Sequence, residues 1–142
     1  KRGYACIRVG FKEGRKEVGE ILRALAEADV HFTIPKIHQD VLNFALPEEE
    51  AGKAMEKLRE ISYDPQLLAH CSLITVYAPD MRNLFGIMVQ ILEAILAKGA
   101  QVIQVGDAYD SVSCLVREEK IEEIMSALSE VFPNTAINRD ER

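Results

Sequence analysis

The residues best placed for chemistry lie between positions 73 and 92, where a predicted strand runs into a predicted helix. Apolar, β-forming residues at 73–77 predict the strand, and the polar residues 80–83 predict a turn. Apolar residues at helical spacing from position 88 to 95 predict a helix that begins after Gly86. The first N–H groups of such a helix have no partner within it, and together with the helix dipole they favour a bound carboxylate. The alternative is a plain strand-to-helix connection that binds nothing.

Side chains that could act as nucleophiles or as metal ligands show no productive spacing elsewhere. No serine, cysteine or histidine has the partners of a catalytic nucleophile, and no phosphate-binding G-x-x-x-x-G-K is present. The three histidines lack the spacing and the acidic neighbours of a metal site. Cys6 and Cys114 fall within strand patterns, which predicts small buried thiols in a reducing compartment. We therefore expect a non-catalytic, cytoplasmic segment without a metal or a cofactor.

Charge and hydropathy argue against two classes of partner. The 142 residues carry a net charge of −6 with acids and bases interspersed, whereas binding to a nucleic-acid backbone needs a basic surface. No apolar run approaches the roughly 20 residues that cross a bilayer, and no signal peptide is visible. We expect neither nucleic acid nor a membrane as a partner. Because the chain begins at Lys1 rather than at methionine, we expect it to be a piece of a longer protein.

An internal repeat defines the elements that must position this chemistry. When the sequence is shifted by 70 positions, residues 20–61 lie over residues 90–131 without a gap and with nine identities. Glu48 and Glu118 are one identical pair, and both are expected to be solvated acids in the first turn of a helix. Apolar spacing also matches in four successive elements, which favours a true repeat of one structural unit.

Each repeat predicts the order strand, helix, two strands, helix, followed by a faint closing strand. The closing strands are expected at residues 66–69 and 135–138, and residues 62–70 are expected to form a short linker. This order predicts an α+β fold with two ferredoxin-like βαββαβ domains in tandem. Each domain would be an antiparallel sheet with helices on one face, and the domains would span residues 1–69 and residues 70–142.

The two repeats resemble the regulatory region of a known enzyme family. CSLITV, DMRN and GI, between positions 71 and 87, resemble the A-K-V-S-V-V-G strand and the G-M-R-x-x-P-G-V loop in the second ACT domain of aspartokinases. LAEADV at 25–30 resembles the A-L-A-E-A-G-I helix end of the family's first ACT domain. YDP at 63–65 and LSEVF at 128–132 are most similar to the diaminopimelate- or lysine-controlled aspartokinases of Gram-positive bacteria.

This resemblance implies that the two domains are ACT domains and form the regulatory half of an aspartokinase, which phosphorylates aspartate in lysine biosynthesis. The kinase catalytic domain would then be a partner that lies outside this segment. In the family, ACT pairs associate side by side and bind an amino-acid effector between them. The resemblance therefore implies a homo-oligomer, a dimer or larger, with allosteric feedback by lysine, diaminopimelate or threonine. The alternative is a free-standing tandem ACT sensor or dimerisation module that acts on another partner.

The resemblance also implies which residues contact the effector. They lie in a loop and in a strand-to-strand turn of the second repeat: Met81, Asn83, Gly86, Ile87, Met88, Gln104, Asp107 and Asp110. The backbone N–H groups of Gly86, Ile87 and Met88 suit the effector's carboxylate. The oxygens of Asn83, Gln104 and the two aspartates suit its ammonium groups. Asp110 has Asp40 at the same place in the first repeat, which favours a turn role for Asp110 and leaves Asp107 as the stronger candidate.

The sequence departs from the family pattern in both repeats. Phe85 stands where the family usually has proline, and Asp80 stands where it usually has glycine. In the first repeat Lys16 takes the place of Gly86, where a side chain would block close approach to the backbone. We therefore predict that the second repeat binds an effector and that the first repeat does not.

Overall fold

Strands and helices alternate as the hydrophobic pattern predicts, with a period of two in strands and near 3.6 in helices. The computed structural model describes residues 3–12, 14–77, 84–108, 110–133 and 135–140. In chain order the elements are β1 (Tyr4–Gly10), α1 (Arg15–Glu27), β2 (Thr33–His38), β3 (Val41–Pro47), α2 (Ala51–Glu60), β4 (Gln66–Tyr77), α3 (Leu84–Ala97), β5 (Val102–Ala108), β6 (Ser111–Arg117), α4 (Ile121–Val131) and β7 (Ile137–Asp140). Short 3-10 turns, Glu48–Glu50 and Glu118–Lys120, precede α2 and α4.

These elements fall into two compact units, one that ends at His70 and one that begins at Cys71. The boundary lies within β4, so residues 66–70 of this strand belong to the first unit and residues 71–77 to the second. The α+β class and the antiparallel pairing predicted from the sequence are both confirmed.

In the first unit the strands follow the order β2-β3-β1-β4, and α1 and α2 cover one face. β1 and β2 both pair antiparallel with β3, in a register that sets Ile7 of β1 opposite Phe44 of β3. Ile7 and Phe44 are fully buried together with Ile21 of α1 and Leu58 of α2. Burial of each of these side chains contributes about 1.5–3 kcal/mol, so this shared core holds the helices on the sheet.

In the second unit the strands follow the order β7-β4-β6-β5, and α3 and α4 cover one face. β4 pairs antiparallel with both β6 and β7, and Ile74 of β4 lies opposite Cys114 of β6. Ile74 packs with Ile95 of α3 and Ile124 of α4 in a core of its own. Each unit therefore has the strand order of a ferredoxin-like βαββαβ arrangement.

The positions of the elements confirm the sequence repeat. β3 begins at Val41 and β6 at Ser111, α2 begins at Ala51 and α4 at Ile121, and each pair is 70 positions apart. The two 3-10 turns are offset by the same distance. Phe44 and Cys114, which the sequence shift aligns, have equivalent neighbours across the sheet.

The strand predicted at residues 66–69 is confirmed, but no linker follows it: it is the start of β4, which continues without interruption to Tyr77. The closing strand of the second unit is Ile137–Asp140 rather than 135–138. Strands on the outside of a sheet owe their extent to pairing with a neighbour more than to their own composition, and composition was the signal used.

Two of the three acids before α2, Glu48 and Glu50, are not the solvated first-turn residues that we expected, whereas Glu49 is exposed. Glu48 accepts a hydrogen bond from the backbone N–H of His70 at 2.9 Å, and Glu50 accepts one from the backbone N–H of His31 at 2.8 Å. The imidazole Nδ1 of His70 also lies 3.2 Å from Glu48 Oε2. In the second unit Glu118 Oε2 lies 3.8 Å from the guanidinium of Arg139 in β7. The 3-10 turn aims this carboxylate at the last strand of its own unit, which accounts for the identity of Glu48 and Glu118.

Candidate ligand-binding sites

The structure places the helix start of the predicted effector site three residues earlier than the sequence suggested. α3 begins at Leu84, so Gly86 lies inside its first turn and not in the loop before it. Gly86 is the third residue of this helix, so its N–H has no partner at position i−4 within the helix. The N–H of Met88, by contrast, is paired with the carbonyl of Leu84 in a regular α-helix, so Met88 cannot supply the third donor that we predicted.

The side chains of this first turn also serve the core. Ile87 and Met88 are half-buried and pack against the hydrophobic cluster of the second unit. Met81 and Asn83, two further predicted contacts, lie outside the described residues. The described part of the predicted site at α3 is therefore one backbone donor, at Gly86.

The predicted oxygen ligands on β5 do not converge. Asp107 lies opposite Val112 on the face of the sheet that carries the helices, and it is exposed. Gln104 lies opposite Leu115, three residues away from Val112, and therefore projects from the other face. Gln104 is buried, with 9% of its surface exposed, on the face that also carries the hydrogen-bonded hydroxyls of Thr75 and Ser113. The two side chains cannot bind the same ammonium group.

Asp107 remains compatible with a site at the start of α3. Val76 of β4 is opposite Val112, and Val112 is opposite Asp107, so the three residues form one row across the sheet. Two strand spacings separate Asp107 from Val76, a distance of about 10 Å. This row lies at the end of the sheet from which the chain leaves β4 toward α3. Asp110 is exposed in the turn before β6, as a turn residue is expected to be.

The first unit contains a cleft at the corresponding strand-to-helix connection, where we had predicted no site. Its volume is about 620 Å³, which lies within the range of small-molecule sites. The walls come from three places in the chain: residues 10–12 and Glu17 around the start of α1, residues 40–41 between β2 and β3, and residues 61–64 after α2. The third wall was missed because the sequence around Tyr63 was interpreted only as a linker.

Hydrogen bonds hold the walls of this cleft together. Glu17 accepts one bond from the backbone N–H of Lys12 at 2.8 Å and another from the Tyr63 hydroxyl at 3.0 Å. The backbone N–H of Phe11 donates to the Asp40 carbonyl at 2.9 Å. Burial and the bond to Glu17 raise the pKa of the Tyr63 phenol above its ordinary value, so this hydroxyl donates at neutral pH. The cleft is thus built before any ligand binds.

Lys16 does not fill this cleft, contrary to the expectation from the sequence. It lies in the first turn of α1 with an exposed side chain, and it is not among the residues that line the cleft. Gly14, the residue immediately before α1, has a φ of 62°, a positive value that glycine adopts readily, and it makes no side-chain hydrogen bond that caps the helix.

The described residues include neither a candidate metal site nor a helix that could span a membrane. Among the described residues, no group of three His, Cys, Asp or Glu side chains is placed to hold a metal ion. None of the helices in the described part of the chain is both long and apolar enough to span a bilayer.

Comparison with known proteins places the fold. Residues 67–130 match the family model described as ACT domain, whereas no curated protein sequence matches the chain. The regulatory subunit of aspartate kinase from Thermus thermophilus, in a ligand-free form, is 16% identical with a TM-score of 0.84, and 92% of each chain is covered. A structure of aspartokinase alpha and beta subunits is 20% identical with a TM-score of 0.85, and covers 92% of this chain and 93% of its own.

A complete enzyme gives the same fold over part of its length. Aspartate kinase from Clostridium acetobutylicum is 17% identical with a TM-score of 0.79, and the match covers 94% of this chain but 33% of the kinase. At these identities the likeness establishes the fold. Residues 67–130 are therefore similar to an ACT domain, and the chain shares its fold with the regulatory subunits of aspartate kinases.

Proposed function

We propose that this chain is the regulatory region of an aspartate kinase and that it binds an amino-acid effector. The observation that carries the proposal is the match to the regulatory subunit of the Thermus thermophilus enzyme over 92% of both chains. The two units, proposed as ACT domains of residues 1–69 and 70–142, would act together on a catalytic domain encoded before or apart from this segment. Lysine, diaminopimelate and threonine are the candidate effectors, and lysine biosynthesis in the cytoplasm is the proposed setting.

The proposed effector site is in the second unit. The effector's carboxylate binds the N–H of Gly86 in the first turn of α3, where the helix dipole adds to the attraction. Its ammonium group binds Asp107, which lies at the same end of the sheet. Met81 and Asn83 precede the helix and complete the proposed loop, while Met88 forms part of the apolar wall. Gln104 and Asp110 are secondary candidates, because Gln104 projects from the opposite face and Asp110 occupies a turn.

Calorimetry with the three candidate amino acids tests this site. Gly86→Val should abolish binding, because its methyl groups block close approach of the carboxylate to the backbone N–H at this position. Gly19→Val is the matched control: it makes the same change in α1, at the position that the sequence shift aligns with Val89, and a Cβ there meets no atom within 4 Å. Full binding by Gly86→Val, with one of the three amino acids bound by the unaltered chain, would refute the assignment.

The role of Asp107 has its own test. Replacing a charge-assisted hydrogen bond by a neutral one costs roughly 1.5–3 kcal/mol, so Asp107→Asn should weaken binding of a basic effector about ten- to a hundredfold. Asp110→Asn should leave the affinity unchanged. If both variants bind lysine and diaminopimelate as the unaltered chain does, the ammonium group is held elsewhere or the effector is not basic.

Association with other chains follows from the same proposal. β2 and β5 are the last strands in their sheet orders, and partner association is one way to cover such edges. We propose that the chain forms a homo-oligomer of at least two copies. Sedimentation that shows only monomer at tens of micromolar, with and without amino acids, would argue against it and would favour a free-standing sensor that acts on a different partner.

A further inference from the structure

All three histidines of the chain, His31, His38 and His70, lie in the first unit. Histidine is the side chain whose ordinary change of charge falls between pH 5 and 8. Two of the three, His31 and His70, contact carboxylates of one 3-10 turn, Glu48–Glu50. We propose that these contacts form a pH-sensitive device: protonation of the two histidines strengthens their hold on the turn and stabilises the first unit as the pH falls from 8 to 6. The device requires no ligand and does not depend on the proposed function.

Each of the two contacts combines a backbone hydrogen bond with an imidazole beside the same carboxylate. Glu48 accepts the backbone N–H of His70 at 2.9 Å, and its Oε2 lies 3.2 Å from the imidazole Nδ1. Glu50 accepts the backbone N–H of His31 at 2.8 Å, and its Oε1 lies 3.7 Å from the imidazole Nδ1. The glutamate side chains are only 19% and 17% exposed, whereas the imidazoles are 73% and 70% exposed. The backbone bonds thus fix two poorly hydrated carboxylates, and protons from solvent reach both rings.

The charged groups around each imidazole attract it once it is protonated, because carboxylates are ionised between pH 6 and 8. His70 faces Glu48 as its one ionised partner in the described part of the chain. His31 faces Glu50 and also Asp29, whose Oδ1 lies 3.7 Å from the imidazole Nε2. One cation opposes this attraction, since Lys53 of α2 donates to the carbonyl of Asp29 at 3.1 Å. Two carboxylates therefore act on His31 against one ammonium group.

The second unit carries no such device at the equivalent positions. Its 3-10 turn, Glu118–Lys120, has lysine where the first unit has Glu50, and Gln101 stands at the place of His31. The partner of Glu118 is Arg139, whose guanidinium keeps its charge at every pH of interest. The sequence contains no histidine after His70. A response of the 3-10 turn to pH in the neutral range is thus expected from the first unit alone.

Urea unfolding at pH 6 and at pH 8 tests the proposal. In the unaltered chain the equilibrium constant of unfolding should be smaller at pH 6, and each contact should account for a factor of about 1.5 to 5, the range of exposed ion pairs. The double variant His31→Gln, His70→Asn should lose this factor. Glutamine is the residue that the second unit has at position 101, and asparagine tolerates the φ of 60° at position 70. Both substitutions keep the backbone N–H, and each protein is compared with itself, so a general loss of stability cancels.

His38→Gln is the matched control. His38 is exposed in β2 of the same unit and gains the same charge on protonation, but it forms no ion pair with a described side chain. This variant should keep the ratio between the two pH values. If His38→Gln reduces the ratio as much as the double variant does, the pH acts through net charge alone and the proposal is wrong. The proposal is equally wrong if the double variant keeps the full ratio of the unaltered chain.

Hydrogen exchange locates the effect. Exchange read by peptide mass spectrometry, and corrected for the intrinsic dependence of exchange on pH, should be slower at pH 6 in residues 48–60 of the unaltered chain. The equivalent residues 118–131 should exchange at the same corrected rate at both pH values. A corrected change of equal size in both segments would assign the response to the whole chain and would overturn the proposal.

Discussion

Ser72 offers a sharp test of how the second unit is held together. Its side chain is 1% exposed in β4, opposite Val116, on the face that packs against α3 and α4. The Ser72 hydroxyl has no hydrogen-bond partner among the described residues. The first unit has Ala5 at the equivalent place, opposite Leu46. We therefore expect Ser72→Ala to stabilise the protein, although it removes a polar atom from a buried position.

The magnitude follows from two opposing terms. A buried hydroxyl without a partner costs about 1–3 kcal/mol of desolvation, which alanine removes. The loss of one oxygen's packing contacts offsets a few tenths of a kcal/mol of this gain. A net stabilisation of about 1 kcal/mol remains. It should raise the melting temperature by about 4–8 °C if the second unit unfolds on its own, or by about 2–4 °C if the whole chain unfolds together.

Thr75→Val is the matched control on the same strand. The Thr75 hydroxyl lies 3.0 Å from the hydroxyl of Ser113 and is hydrogen-bonded to it, so its removal should destabilise the protein by about 1 kcal/mol. Scanning calorimetry of both variants should thus give shifts of opposite sign. A lower melting temperature for Ser72→Ala would show that its hydroxyl makes a stabilising bond, and would refute the reasoning.

Three further predictions concern the hydrogen bond between Glu48 and His70 and the titratable side chains of Tyr63 and Cys114. Glu48→Gln should lower the melting temperature, because a neutral amide oxygen accepts the His70 N–H less strongly; an unchanged value would mean that this bond contributes nothing. Because the folded-state pKa of Tyr63 is raised, its contribution to stability is complete below its unfolded pKa and is lost as pH rises above that value. Tyr63→Phe should therefore flatten the alkaline fall of stability measured by urea unfolding, and an identical fall in both proteins would contradict this. Burial raises the pKa of the Cys114 thiol to about 12, so a thiol reagent at pH 8 should label Cys114 in urea but not in the native protein, as peptide mass spectrometry can check.

The parts of the fold that could be predicted from sequence are those that carry their own local signal. β3 and β6 alternate apolar and polar residues, and α2 and α4 have apolar stripes at helical spacing, so the offset of 70 positions was visible without a structure. Residues 66–70 and 137–140 carry no such pattern, and their extent depends on pairing with strands that are distant in sequence. The hydrogen bonds of Glu48 and Glu50 likewise join segments that are distant in sequence.

Some features of the candidate sites could likewise have been predicted from the sequence, and others could not. That Gln104 and Asp107 project from opposite faces could have been predicted, because they are three residues apart in one strand. The start of α3 at Leu84 was missed because Gly86 was interpreted as a loop residue. The cleft in the first unit could not have been found from local sequence, since Tyr63 meets Glu17 only through the folding of segments 46 positions apart.

The carboxylates of Glu48 and Glu118 occupy equivalent positions. The hydrogen bond that Glu48 accepts from His70 and the ion pair that Glu118 forms with Arg139 nevertheless differ in their sensitivity to mutation. In the first unit the donor is the main chain of His70, which every residue except proline possesses. The hydrogen bond to Glu48 therefore survives substitution of His70 by residues that tolerate a backbone φ of 60°, such as glycine or asparagine. In the second unit the donor is the side chain of Arg139, which a single codon change removes. Random mutagenesis should thus find that the ion pair of Glu118 is easily lost and that the hydrogen bond of Glu48 is robust, although both repeats have glutamate at this position.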